Sequence, residues 1–121
     1  MAVSNYQNLT VWQRAMDLAE EVYRLSKKLP KMEIFSLSEQ MRRAAVSIPS
    51  NIAEGNGRQT AKEFQQFLWV AKGSAAELET QLLLCERIGY LARTDTDRAM
   101  GLLTEISKMT TALMKTPKPA P

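Results

Sequence analysis

Residues 60–89 read TAKEFQQFLWVAKGSAAELETQLLLCERIG, and this stretch decides the fold. Thr60 and Glu63 stand at capping-box spacing, which marks a helix start. Phe64, Phe67, Leu68, Ala71, Ala75, Leu78, Leu82 and Cys85 return every three or four residues, so they share one face. Gly89 is the natural stop. The spacing predicts a long helix over 61–88. The same helix is apolar on a second side. At about 100° per residue, Trp69, Gly73, Ala76, Leu83 and Leu84 lie largely opposite the Phe64–Ala71–Leu78 stripe. A helix in a lone bundle needs one buried stripe. Two stripes predict an oligomer whose interface uses those five residues, with Gly73 and Ala76 admitting a neighbouring backbone. The competing reading is a scatter of exposed hydrophobes, which is common on protein surfaces.

Working outward, three further amphipathic segments emerge. The first is predicted over about 10–29, opened by Thr10 and Gln13 at capping-box spacing and stopped by Pro30. Its expected core face is Trp12, Ala15, Met16, Ala19, Val22 and Tyr23. The second is predicted over 37–54, opened by Ser36 and Glu39. Its stripe is Leu37, Met41, Ala44, Ala45, Ile48 and Ile52. Pro49 inside it predicts a kink, because proline removes a backbone donor and crowds the preceding turn. Gly55 is expected as a left-handed cap before the loop at 56–59. The fourth is predicted over 95–115, with Ala99, Leu102, Leu103, Ile106, Met109 and Leu113 inward. The tail TPKPAP at 116–121 cannot continue a helix. No alternating strand pattern competes, and short loops make neighbours antiparallel. The expected fold is all-α: a single up-down-up-down four-helix-bundle domain over 1–121.

Composition narrows the chemistry. The 121 residues are 45% hydrophobic and 24% charged, which is ordinary for a globular domain and argues against disorder. No run approaches a membrane span, and MAVSNYQNLT at 1–10 lacks the pattern of a signal peptide. One cysteine, Cys85, allows no internal disulfide; a cytoplasmic location is expected. Histidine is absent, so there is no Ser-His or Cys-His pair and no imidazole base or zinc ligand. We expect no enzyme, no cofactor and no metal.

The net charge of +3 is unevenly placed. Antiparallel topology gathers residues 1–18, 48–66 and 106–121 at one end. That end holds six bases, Arg14, Arg58, Lys62, Lys108, Lys115 and Lys118, against three acids. The rest of the chain is neutral. A ring of subunits would turn this excess into a basic rim, and those six residues are the candidate contacts to nucleic-acid phosphates. A solvated helix end explains them equally well.

Polar residues flank the core stripes: Gln40, Arg43, Ser47, Asn51 and Glu54 on the second helix, and Gln66, Ser74, Glu77 and Gln81 on the third. They read as a hydrogen-bonded seam. A carboxylate pair of Glu54 and Glu77 is excluded by hairpin geometry, which separates them by roughly 20 Å.

Three runs carry a family resemblance: LTVWQRAMDLAEEVYRLSKKL at 9–29, MRRAAVSIPSNIAEGNGR at 41–58 and TAKEFQQFLWVAKGSAAELETQLLLCERIGYL at 60–91. Together they resemble the four-helix-bundle family of proteins encoded in intervening sequences of bacterial 23S ribosomal RNA. The likeness covers roughly residues 8–92, and SIPSNIAEG and GSAAELETQL are its most specific parts. It implies a ring-like homo-oligomer, typically a pentamer. That family is similar in fold to the accessory variability proteins of diversity-generating retroelements, basic pentameric barrels that partner a reverse transcriptase and bind nucleic acid. By that analogy the expected function is a non-enzymatic nucleic-acid-binding scaffold, with structured RNA or DNA and a reverse transcriptase as partners. The alternative is a protein-interaction scaffold with no nucleic-acid role.

Overall fold

Four helices form where the apolar spacing demands burial: α1 (Thr10–Ser26), α2 (Leu37–Asn56), α3 (Ala61–Ile88) and α4 (Arg93–Lys115). The structure is a computed structural model that describes residues 5–115. No strand occurs among them. Single 3-10 turns at Tyr6–Asn8 and Lys31–Glu33 precede α1 and α2. Each helix packs on its two sequence or ring neighbours, α1 on α2 and α4, α3 on α2 and α4. No diagonal pair brings its backbones close, so the order is up-down-up-down around one core.

That core is continuous. Leu18 and Leu25 of α1, Met41, Ile48 and Ile52 of α2, Leu68, Leu78 and Leu82 of α3 and Ile106 of α4 are sealed from solvent. Each contributes up to about 1.5–3 kcal/mol of transfer free energy. Cys85 sits among them, its thiol 3.7 Å from the Met41 sulfur, and burial pushes its pKa up to about 11.

Two helix starts differ from expectation. Thr10 is the first helical residue of α1, and Leu9 occupies the cap without a side-chain bond. Gln13 instead donates to the Gln7 carbonyl at 2.8 Å. Ser36 caps α2 with no bond of its own, because its hydroxyl donates to Glu33 at 2.6 Å. Only Thr60 acts as expected, accepting the Glu63 N–H at 3.1 Å.

The segment bounds also shift. α1 ends at Ser26, not 29; α2 runs to Asn56, not 54; α4 begins at Arg93, not 95. α4 starts earlier because Asp95 accepts from the Ala92 N–H at 2.8 Å, and this closes the first turn. The tail at 116–121, with Lys118, lies outside the described residues.

The α1 face is rotated from the expected one. Val11, Ala15, Leu18, Ala19, Val22 and Leu25 are buried, whereas Met16 and Tyr23 are exposed and Trp12 is half-buried. Trp12 packs edge-on against Tyr6. α2 passes through the buried Pro49 without a break. Gly55 is not a left-handed cap. It lies inside α2, buried, where a Cβ would sit 2.6 Å from Phe67 Cβ and 3.0 Å from Phe64 Cδ1. Its missing side chain is what lets α3 approach. The left-handed glycine is Gly89, at φ 87°, whose N–H bonds the Glu86 carbonyl at 3.2 Å to close α3.

Candidate interaction surfaces

α3 presents the apolar face read from its spacing. Its inner stripe is spent on the core, yet Trp69 is 62% exposed and Leu83 and Leu84 are 43% and 45% exposed. Gly73 and Ala76 are exposed between them, and nothing lies within 4 Å of where a Gly73 Cβ would stand. The structure adds two residues that the sequence reading missed, Val70 and Ile88, both 51% exposed. At the helical repeat they extend the same face toward α2. The signal was present in the spacing from Val70 to Leu84 and Ile88. Lys72 borders the face, with its ammonium 5.5 Å from the Trp69 ring centre and 3.0 Å from the Thr111 hydroxyl of α4.

A smaller apolar patch lies on the α1–α2 side. Tyr23 and Val46 line a shallow groove with Glu39, Arg42 and Arg43, and the Arg42 guanidinium stands 5.9 Å over the Tyr23 ring. Tyr23 is therefore a surface residue here, not a core residue.

The six candidate bases at the terminus-bearing end are not equivalent. Arg14 faces Asp17 at 3.5 Å and Glu105 at 3.7 Å. Arg58 pairs with Glu54 at 3.3 Å and lies 4.8 Å from the centre of the Phe67 ring. Lys62 and Lys115 are exposed without an ion pair to any described residue, and Lys108 lines a groove between α3 and α4 beside Lys72 and Glu79. Lys118 lies outside the described residues. The α4 C-terminus is held from α3, because Gln65 donates to the Met114 carbonyl at 2.7 Å.

The polar seam forms between α2 and α3. Ser47 and Ser74 share a hydrogen bond of 2.8 Å, and Asn51 donates to the Ser47 carbonyl at 2.7 Å. Gln81 donates to Glu77 at 3.4 Å, while its own carbonyl oxygen is buried without a partner. Pairing Ser47 with Ser74, and Gly55 with Phe67, sets the register of the hairpin. Glu77 then lies across from Ala44, about ten residues or 15 Å along α2 from Glu54. That is closer than the sequence-based distance but still too far for a shared acid-base site. Among the described residues no three His, Cys, Asp or Glu side chains gather where they could hold a metal ion. No described helix is long and apolar enough to cross a membrane.

At the opposite end the two interhelical turns are locked together. Glu33 accepts from the Tyr90 hydroxyl at 2.8 Å and from Ser36, and these bonds, Ser36 first, hold its carboxyl below the ordinary value. The same bond raises the Tyr90 pKa. Lys28 pairs with Asp95 at 2.9 Å. Asp95 is held below its ordinary value first by the Ala92 N–H and then by Lys28. Thr96, buried, donates to Glu86 at 2.8 Å and ties α4 to α3.

These features define a class: an antiparallel four-helix bundle whose longest helix carries a second, uncovered apolar face. Residues 7–112 match the 23S rRNA-intervening sequence protein family, and the chain belongs to that family. It is also similar to a solved structure, a protein of unknown function from the S23 ribosomal protein family of Bacteroides thetaiotaomicron. The two are 30% identical with a TM-score of 0.81, over 88% of this chain and 100% of the other. No curated protein matches the chain.

Proposed function

We propose that the chain is a non-enzymatic scaffold that assembles into a ring-like homopentamer and binds nucleic acid. The observation that carries this reading is the uncovered face of α3. Trp69, Val70, Leu83, Leu84 and Ile88 are exposed on a helix whose other side already fills a complete core. An apolar face of that extent on one element marks a contact surface. A closed ring requires such a heterologous patch on every subunit. The smaller Tyr23–Val46 patch on the α1–α2 side is a candidate for the complementary half.

The nucleic-acid part rests on the family description, which ties these proteins to ribosomal RNA genes, and on the uncommitted Lys62, Lys108 and Lys115. A ring repeats each of them around one rim. By analogy of fold, the partner is a reverse transcriptase with its template RNA. One observation favours the rival reading, a protein-interaction scaffold: Arg14 and Arg58 are already engaged by carboxylates.

Size-exclusion chromatography with light scattering, on the protein alone and with a structured RNA, separates the two. A pentamer-sized particle that holds RNA at low salt and releases it at high salt supports the scaffold for nucleic acid. A pentamer indifferent to RNA at every salt concentration supports the protein-interaction scaffold. A monomer at all concentrations removes the ring.

A further inference from the structure

An ion pair cancels both of its charges, so the basic excess of the terminus-bearing end lies in what the pairs leave. Arg14 sits 3.5 Å from Asp17 and Arg58 sits 3.3 Å from Glu54, and each of these pairs is neutral. Glu105 is turned toward α1, 3.7 Å from Arg14, so one arginine there meets two carboxylates. What remains among the described residues of that end is Lys62, Lys108 and Lys115 against Glu63. Glu63 keeps its charge while it accepts the Thr60 hydroxyl at 3.0 Å. The excess therefore belongs to the start of α3 and the end of α4.

Helical spacing turns these lysines toward a common groove. Thr104, Lys108, Thr111 and Lys115 recur at four-, three- and four-residue steps on one face of α4, and Lys62, Gln65 and Lys72 share a face of α3. The two faces meet where Gln65 donates to the Met114 carbonyl at 2.7 Å and Lys72 to the Thr111 hydroxyl at 3.0 Å. The groove between them is about 370 Å³, with Lys72 on its α3 wall and Lys108 on its α4 wall. Its floor is the buried Leu103 and Ile106, and Ser107 is exposed on the α4 wall. Glu79 also lines it, seven residues or about 10 Å from Lys72 toward the opposite end. Lys62, Lys72, Lys108 and Lys115 make no ion pair with a described residue. With Glu63 and Glu79 counted in full, four lysines face two carboxylates, and this flank is net cationic.

We propose that the α3–α4 groove holds the phosphodiester backbone of nucleic acid, gripped by Lys72 and Lys108 from the two walls and led to the open end by Lys62 and Lys115. The proposal deepens the nucleic-acid reading above and rests on it. It adds Lys72, which counting by ends leaves in the neutral remainder, and it drops Arg14 and Arg58. Lys108 and Lys115 are seven residues or about 10 Å apart along α4. At about 3.4 Å per phosphate along one strand, that distance spans about three phosphates. The exposed Ser107 hydroxyl is a further donor to a phosphate oxygen. A trough with cations on both walls suits a linear polyanion. A lipid surface would meet only its rims, because the apolar floor is sunk in the core. The groove also leaves room for assembly. Val70, Leu84 and Ile88 lie about 120–160° round α3 from Lys72, on its α2 flank.

The test is fluorescence anisotropy on the full chain with a labelled RNA hairpin over a series of salt concentrations, with co-sedimentation on phosphatidylglycerol vesicles alongside. The variants are Lys72→Gln with Lys108→Gln, and Lys108→Glu alone, which changes an exposed side chain and so guards against a folding defect in the pair. Circular dichroism and light scattering check that helices and assembly persist. The paired variant is expected to weaken binding roughly tenfold at low salt and to reduce the salt slope by about two. Lys108→Glu is expected to weaken binding in the same direction, and Arg14→Gln to change neither affinity nor slope. If the paired variant and Lys108→Glu both bind like the parent while Lys62→Gln with Lys115→Gln does not, the proposal is overturned and the general reading stands. The same holds if Arg14→Gln weakens binding as much as the paired variant. Vesicle binding that needs Lys72 and Lys108, without RNA binding, overturns it in favour of a lipid surface. A parent that binds no RNA at any salt concentration overturns both.

Discussion

Single residues here take roles that their type alone does not announce. Gly55 looks like a helix stop but is a point of helix contact, with room for no Cβ against Phe67. Gly55→Ala is expected to destabilise the fold by about 1–3 kcal/mol, because overpacking outweighs the gain in helix propensity. Gly101→Ala, in α4 with nothing within 4 Å of the new Cβ, is expected to stabilise it by up to about 1 kcal/mol. Urea melts of the two variants check this contrast. Glu33 and Asp95 provide a second prediction at this scale. Their folded pKa values lie below the ordinary 4.5 and 3.8, so the stabilisation they confer is present above those values. It is lost as pH falls through the folded ones. Tyr90 runs the other way: its raised pKa stabilises below its ordinary 10.0 and fails as pH climbs past the folded value. NMR titration is expected to show acid loosening of the α1–α2 turn, and Ser36→Ala is expected to move the Glu33 midpoint back up. The capping residues show why such detail was illegible in sequence. Ser36 has the right spacing to Glu39, but its hydroxyl found Glu33 first. A capping box states an opportunity, and the competing acceptor is set by the turn geometry.

At the scale of elements, the helices of this chain differ in how plainly they declare their inner face. α2 and α3 each carry one dominant stripe, and the residues from Met41 to Ile52 and from Phe64 to Cys85 that were expected inside are inside or half-buried. α1 is apolar around much of its circumference. Val11, Leu18 and Leu25 form one candidate stripe and Trp12, Met16 and Tyr23 another, offset by about one residue, or 100°. Periodicity alone ranks these equally. Packing against α2 and α4 chose the first, leaving Met16 and Tyr23 on the surface. The choice is measurable. Leu18→Ala is expected to cost about 2–5 kcal/mol of stability, and Met16→Ala no more than about 0.5 kcal/mol, by chemical denaturation. Equal costs would return α1 to the orientation expected from its sequence. The second stripe of α3 was legible for the opposite reason. It sits directly across from the first, so one helix cannot bury both in one bundle.

For the whole molecule, the apolar face of α3 and the one basic end set the expected behaviour. Leu84→Glu places a charge at the centre of the exposed α3 face without touching the core. Under the proposed assembly it is expected to yield a monomer by light scattering, with helicity unchanged by circular dichroism. An intact oligomer would move the interface off α3. The family membership, the four helices and the absence of the residues for imidazole or cysteine-cluster chemistry all followed from the order of residues, because helical period and composition are local properties. What the linear order left open is how surfaces are shared out. Formal charge put the basic excess at the terminus-bearing end, since counting treats every Lys and Arg alike. The folded chain pairs Arg14 with Asp17 and Glu105 and Arg58 with Glu54, which leaves Lys62, Lys108 and Lys115 as the bases of that end without an ion pair to a described residue. Sequence determined which side chains this protein has and which share a helix face. Only the tertiary structure decided which of them remain uncommitted, because a partner such as Glu105 for Arg14 or Tyr90 for Glu33 is distant in the chain and near only once the helices pack.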